Sequence, residues 1–460
     1  MIGLSIMNSN RAISGAVVAG ALASGLFAGA GLGSAPTANA TCASFFGIGN
    51  SANCTSTLFS AAIAIGDGAA AHANGFFGGA FVVGTNSTAE TSSGSVLNFA
   101  TSLFGDDNVV SAEGPIANWA TNIGGSGNTV TTQGSLWNTA TNILGSGNTV
   151  TTQGGYVNWA RNVLGSNNTV SVQGGYANWA LNAFGDGMNV DILGGNVNTV
   201  RNLFGSDNIV RINGGYGNYA RSLFGDANTV TIQGGTGNSA RNFFGDMNTI
   251  TTQLGYANLA NNFLGSDNTI TATGGYFNGA RNIIGNGNSL TVGGLGSNLN
   301  LGWNLVGNGN QLVSGPGNLN AVVNAGGGGN IVRAGGPGDL NAGFNFLGTA
   351  NTVVAGPGPL AVAGTVIRDG QTVTKSDAGI AINDFRVGGS SAQSSPSRTG
   401  RAATASPAST EDDAATTSSA GVERKATRSP ARAATAGKKD ERKAARSEAG
   451  EGSVGSKAKS

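Results

Sequence analysis

The stretch from Arg161 to Ala180 reads RNVLGSNNTVSVQGGYANWA, and the stretch from Arg221 to Ala240 reads RSLFGDANTVTIQGGTGNSA. The two match at most positions, and the stretches between and around them follow the same pattern, so the sequence repeats with the length of the quoted stretch. Glycine recurs at one position of ten successive repeats and asparagine at another position of nine. These are Gly105, Gly125, Gly145, Gly165, Gly185, Gly205, Gly225, Gly245, Gly265 and Gly285, and Asn118, Asn138, Asn158, Asn178, Asn198, Asn218, Asn238, Asn258 and Asn278. A unit this short cannot bury its own inner face, so neighbouring copies must stack.

Each repeat divides into two halves that open with glycine and carry asparagine three residues later, as in Gly165 and Asn168 or Gly175 and Asn178. Residues 148–153 and 158–164 alternate small or β-branched residues with polar ones, which predicts a strand in each half. A short helix is the alternative for the second half, although seven residues between glycines hold a helix poorly.

We therefore expect an all-β fold, a β-solenoid (β-helix) of about thirteen 20-residue coils spanning residues 86–359. At about 4.8 Å per coil, it would be on the order of 60 Å long. Open ends would polymerise, so capped ends are expected. The candidates are residues 41–85, which contain Cys42 and Cys54, and residues 360–388, with the charged Arg368, Asp369, Lys375 and Asp377.

Residues 20 apart in sequence would then lie directly above one another and form columns along the solenoid. Inward columns are predicted from Val110, Val130, Val150, Val170, Val190, Val210, Val230, Ile250, Ile270 and Leu290, and from Ala120, Ala140, Ala160, Ala180, Val200 and Ala220. Asparagines of the same parity would also point inward, where stacked amides can hydrogen-bond along the column.

Composition separates the repeats from both ends of the chain. Of 460 residues, 79 are glycine and only 10% are charged. The segment 391–460 holds 13 of the 24 basic residues and 8 of the 23 acidic ones, which leaves 11 basic and 15 acidic residues before it. The residues before the tail are therefore nearly uncharged and slightly acidic overall, which argues against a nucleic-acid partner. Residues 389–460 are poor in large apolar side chains, which predicts a disordered tail. Its basic runs are either simply solvated or engage anionic wall polymers or lipid.

Residues 1–40 read as a secretory signal peptide. Arg11 precedes an apolar run, and Ala38-Asn39-Ala40 offers a cleavage site. An uncleaved membrane anchor is the alternative. In an oxidising compartment we expect Cys42 and Cys54 to form a disulfide rather than remain free thiols.

Catalytic motifs are missing from the sequence. His72 is the only histidine, no nucleophile, zinc or phosphate-loop motif occurs, and the acidic residues are scattered singly through turns. We therefore expect no enzyme, no cofactor and no metal site. Asp107, Asp207 and Asp267 share one turn position, which leaves calcium binding as an alternative to plain hydrogen-bonded turns.

Two outward faces are candidates for binding. One carries Thr-x-Thr pairs, as in Thr129 and Thr131 or Thr249 and Thr251, which suits an ice-binding surface but also ordinary strand propensity. The preferred binding surface is the other face, with Leu203, Leu223 and Phe243 beside it. It carries Trp119, Trp159, Trp179, Tyr219, Arg161, Arg201, Arg221 and Arg241. A one-residue change of parity would instead bury this stripe in the core.

The spacing Gln153-x-Gly155-x-x-Asn158-x-Ala160 resembles the curlin repeat of bacterial amyloid fibres, although its second glutamine is absent here. From Thr41-Cys-Ala-Ser-Phe-Phe-Gly-Ile-Gly-Asn50 to Ala355-Gly-Pro-Gly-Pro-Leu-Ala361, the chain resembles uncharacterised Asn/Gly-rich secreted proteins of mycobacteria. This resemblance implies export and a secreted or cell-wall-associated location. We expect an adhesin-like surface protein that binds an envelope glycan, a lipid, a host protein or another copy of itself. An ice- or calcium-binding solenoid is the alternative, and a polysaccharide-acting enzyme a distant one.

Overall fold

The computed structural model describes residues 41–388, and the predicted signal peptide and disordered tail lie outside them. The described residues form strands and turns without a helix, so none of them forms a helix that could cross a membrane. The short-helix alternative for the second half of the repeat is thereby wrong, since Trp159–Val163 is a strand.

The strands in chain order are β1 Thr41–Phe45, β2 Ile48–Gly49, β3 Cys54–Ser56, β4 Ala61–Ile65, β5 Ala70–Ala73, β6 Gly79–Val83, β7 Thr88–Thr91, β8 Phe99–Leu103, β9 Val109–Glu113, β10 Trp119–Ile123, β11 Thr129–Gln133, β12 Thr139–Ile143, β13 Thr149–Gln153, β14 Trp159–Val163, β15 Thr169–Gln173, β16 Trp179–Ala183, β17 Asn189–Leu193, β18 Thr199–Asn202, β19 Ile209–Asn213, β20 Tyr219–Ser222, β21 Thr229–Gln233, β22 Ser239–Phe244, β23 Thr249–Gln253, β24 Leu259–Leu264, β25 Thr269–Thr273, β26 Gly279–Ile284, β27 Ser289–Gly293, β28 Leu301–Val306, β29 Gln311–Ser314, β30 Ala321–Asn324, β31 Ile331–Ala334, β32 Ala342–Phe346, β33 Thr352–Ala355, β34 Ala361–Val366, β35 Thr372–Lys375, β36 Gly379–Ile382 and β37 Phe385–Val387.

The strands form a parallel β-solenoid of two sheets. Even-numbered strands from β4 to β36 pair in parallel in one sheet, which we call the even sheet, and odd-numbered strands from β3 to β35 pair in parallel in the other, the odd sheet. Pairing follows the period of the repeat through the regular coils, so that Ala120 lies beside Ala140 and Val130 beside Val150. The predicted β-solenoid is therefore confirmed.

The solenoid has about 16 coils, not the thirteen predicted. Parallel pairing already joins β4 to β6, before residue 86, and still joins β33 to β35, beyond residue 359. The terminal coils escaped the sequence analysis because their spacing departs from the regular period. Ala61, for example, pairs with Gly79, whereas the regular period would place it beside Phe81.

The inward columns are the predicted ones. Val130, Val150, Ala140 and Ala160 are buried, as are their counterparts in the other regular coils. The narrow core consists largely of Ala, Val and Ile from the two sheets. Trp159 and Arg161 lie on the opposite side of the same strand, partly exposed, so the inverted parity is wrong.

Three buried columns of asparagine run along the core. The first ladder is Asn108, Asn128, Asn148, Asn168, Asn208, Asn228, Asn248, Asn268, Asn288, Asn310, Asn330 and Asn351; the second is Asn98, Asn118, Asn138, Asn158, Asn178, Asn198, Asn218, Asn238, Asn258, Asn278, Asn300, Asn320 and Asn341; and the third is Asn122, Asn142, Asn162, Asn182, Asn202, Asn242, Asn262, Asn282, Asn304, Asn324 and Asn345. All three have the parity of the inward Val and Ala columns, for which inward asparagines were predicted.

Each ladder links successive coils by hydrogen bonds. In the first and second ladders, the backbone N–H of an asparagine donates to the side-chain oxygen one coil earlier, as from Asn148 to Oδ1 of Asn128 at 2.9 Å. In the third ladder the side chains bond directly, with Nδ2 of Asn162 donating to Oδ1 of Asn142 at 2.8 Å. Since a buried unpaired amide costs about 1–3 kcal/mol, these contacts favour coils stacked in register.

Both ends of the described chain carry antiparallel strands. At the amino-terminal end β1 pairs antiparallel with β4, and Cys42 and Cys54 form a disulfide with Cα atoms 5.6 Å apart. At the other end β37 pairs antiparallel with β36. Lys375, expected among the charged residues of the carboxy-terminal cap, is instead buried in β35, and its Nζ has no hydrogen-bond partner within residues 41–388.

Candidate binding face

The eight predicted binding residues all lie on the outer side of the even sheet. Their strands alternate inward Ala and Asn with outward side chains, as in the burial pattern of β14 and β20. They occupy two neighbouring columns. The aromatic column contains Trp119, Trp159, Trp179 and Tyr219, and the arginine column, two residues further along each strand, contains Arg161, Arg201, Arg221 and Arg241.

The aromatic column is interrupted, so the structure brings only some of its members together. Trp159 and Trp179 meet edge to face with ring centroids 5.9 Å apart. Trp119 lies beside Phe99, at 6.3 Å, and is separated from Trp159 by Thr139. The largest continuous aromatic contact among the predicted residues is therefore the Trp159–Trp179 pair.

Guanidinium groups of the arginine column lie over aromatic rings. Arg201 lies 4.6 Å from the centroid of Trp179, and Arg241 lies 5.0 Å from that of Tyr219. Both are cation–π contacts, which help to hold these long side chains against the sheet. Each ring belongs to the coil before that of its arginine, so the contacts also join successive coils.

Three arginines are direct neighbours, because Arg201 pairs in register with Arg221 and Arg221 with Arg241. Like charges placed directly opposite one another on a sheet are destabilising. None of the three forms an ion pair with another residue between 41 and 388, and the Nε atoms of all three are buried without a hydrogen-bond partner there. The face therefore presents concentrated positive charge next to aromatic rings.

An apolar ridge at the corner following the even sheet was missed by the sequence analysis. We define it by two adjacent columns: Leu203, Leu223, Phe243 and Phe263, and Phe184, Phe204, Phe224, Phe244 and Leu264. Strand alternation suggested that only the first column faces outward. The second follows directly where the strand turns, and its repeated Phe or Leu before glycine was the available signal.

The outer side of the odd sheet is polar. Thr129, Thr149 and Thr169 are exposed and lie in register, as the Thr-x-Thr pattern predicts. The Thr-x-Thr pattern is interrupted at Asp191, whose carboxylate accepts a hydrogen bond from Ser171 at 2.9 Å and forms an ion pair with Arg211 at 2.8 Å. The two outer faces of the solenoid thus differ in chemistry.

Acidic residues are dispersed among the described coils. No group of three His, Cys, Asp or Glu side chains suited to a metal ion occurs within residues 41–388. Asp107, Asp207 and Asp267 lie in coils five and three repeats apart, which separates their carboxylates. Several turn aspartates instead accept hydrogen bonds from the preceding coil. The carboxylate of Asp369, for example, accepts the backbone N–H and the hydroxyl of Thr349, and these hydrogen bonds lower the pKa of Asp369.

The single histidine, His72, forms a hydrogen bond with the hydroxyl of Thr55 at 2.9 Å.

Comparison with protein-family models, with curated proteins and with solved structures finds no match to this chain.

Proposed function

We propose that the chain is an exported structural protein of the cell envelope that displays the outer side of its even sheet as an adhesin-like binding face. The observation that carries the proposal is the pairing of Trp179 with Arg201 and of Tyr219 with Arg241 on this outer face. The signal-like residues 1–40 support export, and the repeat supports a role in presenting a surface.

An extended glycan with acidic groups is the ligand that this face suits best. Aromatic rings provide flat apolar surfaces for sugar rings, and guanidinium groups bind carboxylates through paired N–H donors. Trp159 and Trp179 supply two neighbouring rings, and Arg201 begins the run of adjacent cations. A ligand lying along the columns would meet these groups coil after coil.

The test measures retention of the full chain on insoluble acidic envelope polysaccharide. Replacing both Trp159 and Trp179 by Ala should weaken binding at least tenfold, because both rings lie on the outer surface. A matched Thr149→Ala/Thr169→Ala variant changes the opposite face and should bind like the unaltered chain. Equal binding by all three proteins, or binding only to lipid vesicles, would reject the proposal.

Ice binding by the odd sheet is a second candidate. The observation in its favour is the in-register exposure of Thr129, Thr149 and Thr169 on that face. Thermal hysteresis that disappears on replacing Thr149 and Thr169 by bulky Lys, but not on altering the tryptophans, would establish it. Freezing behaviour equal to that of a non-binding protein would dismiss it.

A further inference from the structure

The apolar ridge is a feature of the surface that the proposed function does not use. Phe184, Phe204, Phe224 and Phe244 stack in parallel along four coils, with successive centroids 5.0, 4.9 and 5.0 Å apart. Each of the four is 38–45% exposed. Soluble proteins rarely leave a long apolar strip in water unless it makes contact with something else.

Backbone strain does not account for the outward position of these rings. Within the ridge only Phe184 has a positive φ, of 63°, in the left-handed region that is unfavourable for bulky residues and easy for glycine. Phe204, Phe224 and Phe244 do not share this conformation. A contact surface is therefore indicated by their exposure and by the unbroken stack that they form.

Opposite charges flank the ridge in the same coils. On one side lie Arg201, Arg221 and Arg241 of the arginine column. On the other side lies a row of exposed aspartates in the turns, which we call the aspartate row: Asp186, Asp226 and Asp246, with Asp207 one position further along its own turn. Within residues 41–388 none of these seven side chains forms an ion pair.

The aspartates are held in place from within the chain but remain available. One carboxylate oxygen of Asp186 accepts the backbone N–H of Ser166 at 2.6 Å, and one of Asp226 accepts that of Ser206 at 2.6 Å. The carboxylates are thereby fixed at the corner. Their second oxygens accept none of the described hydrogen bonds, so they can meet a cation from another molecule.

We propose that the ridge binds a second copy of this chain, ridge to ridge, with both solenoids parallel and related by a two-fold axis along their length. The arginine column and the aspartate row lie on opposite sides of each ridge. Rotation by 180° about this axis places the arginine column of each copy opposite the aspartate row of the other. An antiparallel pair would instead place Arg221 and its neighbours opposite their own counterparts. Charge complementarity therefore selects the parallel dimer.

The size of the surface is sufficient for a stable contact. Apolar residues continue both columns of the ridge from Leu103 and Phe104 to Ile283 and Ile284, with Gly124 as an interruption. This extended strip is two side chains wide and about ten coils long and offers on the order of 500 Å² per copy, so two copies bury about 1,000 Å². The aromatic column lies beyond the arginine column as seen from the ridge. Dimer formation would leave Trp159 and Trp179 accessible but would engage the arginine column, which the proposed binding face also uses. The two proposals are therefore separated by variants outside that column, the tryptophan changes for glycan binding and the phenylalanine changes for the dimer.

The first test is sedimentation of the full chain, which we expect to be a dimer. Phe204→Ser/Phe224→Ser should raise the dissociation constant at least 100-fold while leaving the fold unchanged, because both rings are on the surface. The Trp159→Ala/Trp179→Ala variant is the matched control and should remain dimeric. A monomeric unaltered chain, or a dimer insensitive to the phenylalanine changes, would overturn the proposal.

Charge exchange tests the complementarity. Arg221→Asp/Arg241→Asp should weaken the dimer at least tenfold. Adding Asp226→Arg/Asp246→Arg to the same chain should restore it, because each exchanged set again faces its opposite. Failure of the fourfold variant to regain dimerisation, with its circular dichroism unchanged, would contradict the charge pairing.

Cysteine cross-linking tests the orientation. The chain has 2 cysteines, and both are consumed by the Cys42–Cys54 disulfide, so an introduced thiol has no competitor. In the parallel dimer Phe184→Cys and Phe244→Cys should each cross-link to its own counterpart on oxidation. In an antiparallel dimer, cross-links would form only when the two variants are mixed, and that result would overturn the proposal. Binding of the chain to anionic lipid vesicles through the ridge would show that a membrane occupies this surface, and would overturn it as well.

Discussion

Single side chains that interrupt an amide ladder leave unpaired polar atoms beside them. Ser222 takes the place of asparagine in the third ladder, and both its Oγ and Nδ2 of Asn228 are buried without a partner. In an uninterrupted coil the equivalent Nδ2 of Asn168 donates to Oδ1 of Asn162 at 3.2 Å. The defect is therefore the missing acceptor at position 222.

Replacing Ser222 by Asn should repair the ladder. We expect the free energy of unfolding to rise by about 1 kcal/mol, because a buried donor gains its partner. Urea unfolding followed by circular dichroism measures the change. Ser222→Ala is the control: it removes the unpaired hydroxyl but supplies no acceptor for Asn228, so it should stabilise the chain less than Ser222→Asn does. A less stable Ser222→Asn protein would show that the ladder does not stabilise the stack as described.

Thr152 presents a second residue-scale test. Its Oγ1 is buried without a partner, and the next coil has Val172 at the same position of the odd sheet. Thr152→Val should raise the free energy of unfolding by about 1 kcal/mol, because an unsatisfied hydroxyl is removed from the core. The outward Thr151→Val is the control and should have almost no effect. Thermal unfolding distinguishes the two, and a destabilised Thr152→Val protein would be the contrary result.

At the scale of the turn, two glycine positions have opposite tolerances. Gly165 has φ of +120°, and a Cβ there would overlap the carbonyl oxygen of Gly185 in the next coil. Gly127 has φ of +65° with open space around it, and Ala227 occupies the equivalent position at φ of 53°.

Substitution by alanine should separate these two positions. Gly165→Ala should destabilise the chain by about 3 kcal/mol or more, because the stacked coils must move apart to admit the methyl group. Gly127→Ala should cost under about 1 kcal/mol. Chemical unfolding of both variants provides the measurement. Equal stability of the two would mean that the coils do not approach as closely at Gly165 as described.

The sequence predicted those elements whose chemistry repeats visibly. Strand position and parity followed from the Val130 and Ala120 columns, because the same kind of residue recurs there in every regular repeat. The inward asparagines followed from the same parity, which Asn122 shares with Ala120. The ridge was missed at Phe204 because a turn ends the alternation that had been used to assign its neighbour.

At the scale of the molecule, the terminal coils could not be delimited from sequence. Ala61 pairs with Gly79 and Ala361 with Gly379, so both of these coils are shorter than the regular repeat. Such changes of length remove the exact recurrence on which the repeat was found. The eight residues of the candidate face were predicted from the sequence. The contacts between them were not, because residues such as Thr139 interrupt the columns and their effect becomes visible only when the pairing of neighbouring strands is known.

The disulfide at the first coil should have a local effect. Each coil contacts only its neighbours, so stability in such stacks is transmitted over short distances. Cys42→Ser/Cys54→Ser should lower the local free energy of opening by about 2–4 kcal/mol. Hydrogen exchange should accelerate in residues 41–91 and remain unchanged in residues 200–270. Uniform acceleration along the chain would refute this nearest-neighbour description.

The central claim is that residues 20 apart lie one above another, and distances between spin labels measure this most directly. Labels at the exposed Thr149 and Thr249, five coils apart, should give a narrow distribution near about 24 Å, and labels at Thr129 and Thr269, seven coils apart, one near about 34 Å. Dilution with unlabelled chain removes distances between copies. Broad distributions, or distances that do not increase by about 4.8 Å for each added coil, would contradict the stacked solenoid and with it the binding face and the ridge.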